Sequence, residues 1–216
     1  AGINVRDYGG AGGLKTISVR GIGAAHTTVC YDGLPMASTQ SGAVDIGKFA
    51  YEQIRSIRLD IGDVAPLLAP VKTLSAATLF VNTQNSKVKD SFTANFQTGH
   101  WELVNPSIAF SKNLNRSLSF GGNARYYFRN NNYSFHIDNG SLSEKARRNN
   151  SSIRSTVGEL WMNNRLGAAH ELRSKFYYAY NNNELPGAVV LYNNVNHEAV
   201  KDALWFLQSA YDGRWK

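Results

Sequence analysis

From Leu118 to Phe128 the chain alternates strictly. Leu118, Phe120, Gly122, Ala124, Tyr126 and Phe128 form one set, and Ser119, Gly121, Asn123, Arg125, Tyr127 and Arg129 the other. Successive side chains of a strand point to opposite sides, so a period of two demands an extended segment with one apolar and one polar face. A helix would scatter both sets around its circumference. The same pattern sets Phe92, Ala94 and Phe96 against Ser91, Thr93, Asn95 and Gln97, and Leu172, Phe176, Tyr178 and Tyr180 against Glu171, Arg173 and Lys175. Ile153 to Leu166 has a strand's length but a blurred alternation. The pattern predicts a mainly β chain with about six strands, near residues 90–100, 105–112, 116–131, 151–166, 170–183 and 200–212.

The connections alternate as well. Asn113-Leu114-Asn115 and Gly167-Ala168-Ala169 read as tight turns, whereas Asn132 to Asn150 and Glu184 to Ala199 are long and polar. Short turns on one side and long loops on the other describe an outer-membrane-type barrel. A soluble antiparallel sandwich accounts for the alternation equally well but gives no reason for alternating loop lengths. No apolar run reaches the ~18 residues of a membrane-spanning helix. A β-barrel span survives that test, since its strands hide in a mean hydropathy of −0.34.

Composition divides the chain. Of 22 Asn only Asn4 precedes residue 82, and five of the 25 aromatic residues precede position 90, so a boundary falls in the polar stretch Asn82–Asp90. The reading gives domains at 1–86 and 87–216. In the first, Thr16-Ile17-Ser18-Val19-Arg20 reads as a strand ending at Gly21-Ile22-Gly23. Thr27 to Tyr31 reads as a second, turning at Asp32-Gly33, a hairpin signal. Between Phe49 and Leu59 a short helix passes into a strand around Ile57-Arg58-Leu59.

The charge of +7 comes from scattered Lys and Arg with no basic stripe or known binding motif, so no nucleic-acid partner is expected. Cys30 is the sole cysteine, with no disulfide and no zinc-ligand spacing; it reads as buried and inert. His26 and Cys30, four apart on one strand, lie about 13 Å apart and form no nucleophile–base pair. His100, His136, His170 and His197 stand singly, with no metal-binding spacing. Tyr8-Gly9-Gly10-Ala11-Gly12-Gly13 lacks the Lys-Ser/Thr ending of a phosphate loop and reads as a hairpin loop. No catalytic residue, metal site or cofactor is therefore assigned. The chain opens at Ala1 without a basic region and apolar stretch, so a signal peptide is either absent or removed.

Gly2-Ile3-Asn4-Val5, then Ile17-Ser18-Val19-Arg20-Gly21-Ile22-Gly23, then Tyr31-Asp32-Gly33-Leu34-Pro35-Met36 closely resembles the plug domain of TonB-dependent outer-membrane receptors, with the cobalamin receptors as the nearest subfamily. Ile54-Arg55-Ser56-Ile57-Arg58-Leu59 followed by Gly62 fits the plug's next strand. The resemblance covers about residues 2–83, and the chain after residue 90 resembles the family's opening barrel strands. Gly62-Asp63-Val64-Ala65-Pro66 and Ser75 to Val81 depart from the family's usual Gly-Pro and Gly-Gly-Val pattern at the plug's exit.

The resemblance implies a 22-stranded barrel filled by the plug. This chain then looks like a fragment: a plug lacking its first part, followed by an incomplete barrel. The implied function is energised uptake of a scarce small-molecule solute, such as cobalamin or an iron chelate, in the bacterial outer membrane. It is not an enzyme. Its partners are outer-membrane lipid and TonB, the latter through a segment missing here. The alternative is an extracellular β-sandwich that binds glycan.

Two plug apices carry the solute in the resemblance. They map onto Gly9, Gly10, Gly12 and Gly13, and onto Met36, Ala37, Ser38, Thr39, Gln40 and Ser41. Bare backbone N–H groups on the first and short hydroxyl and amide side chains on the second suit a polar ligand. Cobalamin receptors bind calcium through acidic external loops. Here the corresponding loops hold only Asp138 and Glu144, then Glu184 and Glu198, too few for six to eight oxygen ligands, so no calcium site is expected.

Overall fold

The computed structural model of the chain describes residues 2–8, 14–36, 42–49, 54–61, 77–83, 89–140, 142–188 and 196–214. The fold is mainly β and divides into two compact units, Ala1–Lys87 and Val88–Lys216.

In the first unit β1 (Ile3–Tyr8) pairs antiparallel with β2 (Leu14–Val19), and Arg20 and Gly21, both at positive φ, turn the chain out of that pair. The main sheet contains β3 (Thr27–Tyr31), β4 (Leu34–Met36), β5 (Ser56–Ile61) and β6 (Ala77–Asn82), in the order β4-β3-β6-β5, with β3 and β6 parallel. The Asp32-Gly33 hairpin forms as its sequence predicts. Both residues take positive φ, 47° and 86°, as a two-residue primed turn requires. Asp32 also accepts hydrogen bonds from the Thr83 amide and hydroxyl, each 2.7 Å, which ties the turn to the end of β6.

Alternation along β6 sends Ala77, Leu79 and Val81 inward, where they join Val19, Val29, Cys30 and Tyr31 as buried residues. Phe49 closes this core by stacking on Tyr31 with ring centroids 4.7 Å apart. Cys30 is buried, and burial pushes its thiol pKa up, which suits an inert core residue. His26 lies in a 3-10 turn, Ala24–His26, and not on the strand that carries Cys30, because Gly23 accepts the His26 amide and curls the chain first. The strand expected around Ile57 is β5; most of the short helix expected before it falls outside the described residues. A 3-10 turn at Ile46–Lys48 is capped by Asp45, whose carboxylate accepts from Gly47 N and from Lys15 N.

The second unit is built on β7 (Ser91–Gly99), β8 (Leu103–Asn113), β9 (Leu118–Arg129), β12 (Ile153–Arg165), β13 (His170–Glu184) and β14 (Ala199–Gly213), with the hairpin β10 (Ser134–Asn139) and β11 (Leu142–Arg147) between β9 and β12. The six long strands form one antiparallel sheet, β14-β13-β12-β9-β8-β7. Residues 132–150 are thus not an irregular polar loop. Ser134–Asn139 and Leu142–Arg147 pair with each other, and they escape a sequence reading because neither strand offers a buried face that would mark its period.

The register lines up the two faces across all six strands. Phe92, Phe110, Gly122, Leu160, Phe176 and Leu207 form one row, and Ala94, Ile108, Ala124, Gly158, Tyr178 and Trp205 the next. This apolar face is bare: Phe92 is 73% exposed and Trp205 68%. On the opposite face, Thr93, Ala109, Asn123, Glu159, Tyr177 and Phe206 form a row, followed by Ser91, Ser111, Gly121, Trp161, Lys175 and Gln208. There Asn105, Ser107, Asn123, Glu159, Asn163 and Lys175 are buried beside Val157, Tyr177 and Ala179. Ala124 and Tyr126 are exposed on the apolar side, while Asn123 is buried on the other, the separation of faces that the alternation of β9 predicts.

Candidate functional site

The sequence-predicted site residues all belong to the first unit. Met36 ends β4 opposite Val29 and is half-buried. Gly9, Gly10, Gly12 and Gly13 occur between β1 and β2, and Ser38, Thr39, Gln40 and Ser41 follow β4; these eight lie outside the described residues. What the structure does describe is the hairpin that leads to the second segment, held by Asp32 and Thr83, and Gly42 after it, at φ 68°.

The second unit has its own site, at the end of the sheet where the long connections emerge. Strand directions put residues 100–102, 130–140, 142–152, 185–188 and 196–198 at that end, and 114–117 and 166–169 at the other. At the short end the chain turns tightly because Asn115 accepts from the Ser117 and Leu118 amides, both 2.8 Å, and Gly167 takes φ 126°.

At the long end Trp101 and Glu102 both adopt positive φ in the turn between β7 and β8. That unusual backbone is held from the end of the neighbouring strand β9: Asn130 donates its amide to Trp101 O at 2.9 Å and its side chain to Glu102 at 3.0 Å. The Arg129 guanidinium then lies 4.6 Å from the centre of the Trp101 ring. Tyr133 meets Trp101 at 5.9 Å, and Phe135 meets Tyr133 at 6.2 Å. Trp101 and Tyr133 remain exposed. A ladder of exposed rings with a cation against it can take a flat, electron-rich, anionic ligand by stacking and charge. Sequence reading passed over Trp101, Tyr133 and Phe135; the signal available was the aromatic bias after residue 90 coinciding with strand ends.

The two long connections are clasped at their base. Asn150, at φ 52°, donates its side-chain amide to Leu185 O and Glu198 O, each 2.8 Å. Arg148 reaches Pro186 O at 3.1 Å, and the Ser152 amide donates to the Glu184 carboxylate at 2.9 Å.

Residues 1–67 match the family profile described as TonB-dependent Receptor Plug Domain. No curated protein matches the chain. Among solved structures, the chain is similar to a mutant of the ferric enterobactin receptor PfeA from Pseudomonas aeruginosa, with TM-score 0.64 and 14% identity, over 99% of this chain and 34% of that one. It is also matched to the siderophore receptor PirA from Acinetobacter baumannii, with TM-score 0.44 and 14% identity, over 96% of this chain and 40% of that one. The chain thus spans between a third and two fifths of the length of these proteins. The two findings agree: residues 1–67 are similar to the plug domain of TonB-dependent receptors, and the chain shares the fold of the PfeA structure over 99% of its length.

Proposed function

We propose that this chain acts within a TonB-dependent receptor of the bacterial outer membrane, which captures an iron chelate at the long-connection end and passes it inward when TonB acts on the plug. It is a transporter and not an enzyme. In this reading residues 1–86 are plug, 87–216 are barrel wall, and outer-membrane lipid covers the apolar face. The observation that carries it is the two-faced sheet: apolar side chains exposed along six strands, with polar side chains buried behind them on the four inner strands β8, β9, β12 and β13. A soluble sandwich would direct its apolar side chains toward a core between two sheets.

The dimensions support this. From the row of Leu118 to the row of Phe128 the apolar face runs ten residues, roughly 33 Å along the strands, which at a tilt of about 40° gives a band of ~25 Å, the height of an outer-membrane barrel's lipid-facing belt. Longer loops at one end are external in such barrels. The Trp101, Tyr133 and Phe135 ladder beside Arg129 suits an aromatic, anionic iron chelate over a neutral solute. Gly9, Gly10, Gly12, Gly13, Met36, Ser38, Thr39, Gln40 and Ser41 supply the plug's share of the solute contacts.

The experiment is uptake of radioiron supplied as ferric enterobactin by cells expressing the complete reading frame that contains this chain, with and without TonB. Accumulation that requires TonB is the expected result, and accumulation indifferent to TonB overturns the reading. Replacing Ser38, Thr39 and Gln40 together by Ala, or Trp101 and Tyr133 together by Ala, should each weaken chelate binding at least ~10-fold, or about 1.4 kcal/mol. Unchanged affinity in either variant removes that segment from the site.

A further inference from the structure

Two residues at the long-connection end hold a backbone that their side chains disfavour. Trp101 and Glu102 take φ 59° and 57°, side by side, in the turn between β7 and β8. Consecutive positive φ values in a hairpin turn ordinarily recruit Asn-Gly or Asp-Gly, because a Cβ crowds the backbone there and glycine has none. This chain uses that chemistry at Asp32-Gly33, at 47° and 86°. Asn131 and Asn150 also take positive φ at the long-connection end, but asparagine tolerates it through its short polar side chain. A bulky indole does not. The Trp101-Glu102 turn therefore needs an outside hold, and an outlier of this kind beside exposed ligand-sized rings is a pointer to function.

The hold comes from residues 129–133. Arg129 sets its guanidinium 4.6 Å from the centre of the Trp101 ring, Asn130 bonds the turn twice, and Tyr133 brings its own ring to 5.9 Å. The two Asn130 bonds differ in kind. Its backbone amide, 2.9 Å from Trp101 O, is a donor that any residue but proline supplies there. Its side-chain amide, 3.0 Å from Glu102 Oε2, belongs to asparagine: an ionised carboxylate only accepts, so the partner must present N–H. Among the described residues Glu102 forms no ion pair with Arg129 or any other cation, which leaves Asn130 as its anchor. One exposed hydrogen bond is weak, but here it biases a turn between a costly left-handed form and a relaxed one, so its loss moves a population. The Tyr133 contact lies toward the far end of the range over which rings attract, and a small shift of the turn breaks it.

We propose that Asn130 is a positioning residue of the candidate site. Through Glu102 it keeps the Trp101 turn left-handed, so that the indole stands against Arg129 and Tyr133 before a ligand arrives and binding does not have to order it. The place of the ring follows from the turn geometry; its consequence for affinity rests on the chelate-capture reading given above. A plainer role, in which Asn130 only fastens the end of β9 to the neighbouring turn, predicts lower stability with the ring unmoved.

The test uses the complete receptor in detergent, labelled with fluorotryptophan, with Trp101→Phe identifying the Trp101 fluorine resonance. The shift of that resonance between light and heavy water reads the exposure of the ring. Asn130→Ala and Glu102→Ala should each raise it, and the two together should raise it no further than either alone. Asn130→Asp sets a second carboxylate against Glu102 and should raise it as well. Adding Glu102→Gln to Asn130→Asp exchanges donor and acceptor, and should return the resonance to the parent position. Ferric enterobactin binding should weaken about 5-fold in Asn130→Ala and recover in the exchanged pair, with the heat stability of the barrel unchanged. A resonance unmoved by Asn130→Ala, or not restored by the exchange, overturns the proposal. The two readings fail separately. If Trp101→Ala leaves ferric enterobactin binding unchanged, the chelate reading of this site fails and the resonance still decides the role of Asn130. If Trp101→Ala weakens binding while Asn130→Ala alters neither resonance nor affinity, this proposal alone fails.

Discussion

Lys175 and Glu159 form an ion pair of 3.0 Å with both side chains fully buried, on neighbouring strands and offset by one row. Removing two charges from water is expensive, and their attraction offsets it only while both are present. Lys175→Met or Glu159→Leu alone should therefore cost about 3–5 kcal/mol, and the two together much less than the sum. Urea unfolding followed by tryptophan fluorescence reads this directly; single variants within roughly 1 kcal/mol of the parent would show that the pair is solvated. Beside the pair, Trp161 crosses Gly121, where a Cβ would sit 2.4 Å from the Trp161 ring and equally close to Phe110 O. Only glycine lets the ring lie flat at that point. This neighbourhood also explains the blurred alternation of β12. Ile153, Val157 and Trp161 point to the polar face while Arg154, Thr156 and Asn164 point to the apolar one, so a binary pattern loses contrast although the strand is regular.

Strand ends and turns are where local chemistry fixes register. Asp90, just before β7, accepts from Lys112 and from the amide and side chain of Asn113, and these contacts, the Lys112 hydrogen bond first, hold its pKa at about 2. Because the folded value lies below the ordinary one, the contribution of Asp90 is complete above about pH 4 and fades as pH falls toward 2. The protection of the Asn113 amide, its exchange relative to the intrinsic rate at the same pH, should fall across that interval, and Asp90→Asn should flatten the response. A parent amide equally protected at pH 2 and pH 5 would contradict the linkage. The long strands were legible from sequence because each pairs one apolar set with one polar set over many residues: β9 runs from Leu118 to Arg129, within the predicted 116–131. The β10–β11 hairpin was not legible, since its strands are short and mostly exposed and carry no such contrast. Trp101 was missed for another reason. Its role depends on Arg129, Asn130 and Tyr133, which antiparallel pairing brings to one end of the sheet and which no local window joins.

At the scale of the molecule, the apolar face makes the surrounding medium part of the stability. Leu160, 57% exposed in the middle of that face, should tolerate Phe, whereas Leu160→Arg should cost roughly 2–4 kcal/mol in a bilayer. Unfolding from lipid vesicles measures both, and an Arg variant as stable as the parent would place position 160 in water. Asn150 has a consequence of another kind. Its two hydrogen bonds tie the chain just before β12 to Leu185 after β13 and Glu198 before β14, so the pairing of those strands is fixed independently of the β10–β11 hairpin. The Gly140 turn at the tip of that hairpin takes no part in this clasp and stands at φ 61° with open space around it. That tip is a natural insertion point: an epitope tag grafted there should be displayed to antibody without shifting β9 against β12, whereas the same tag between Asn150 and Ile153 would break the clasp and the start of β12 together.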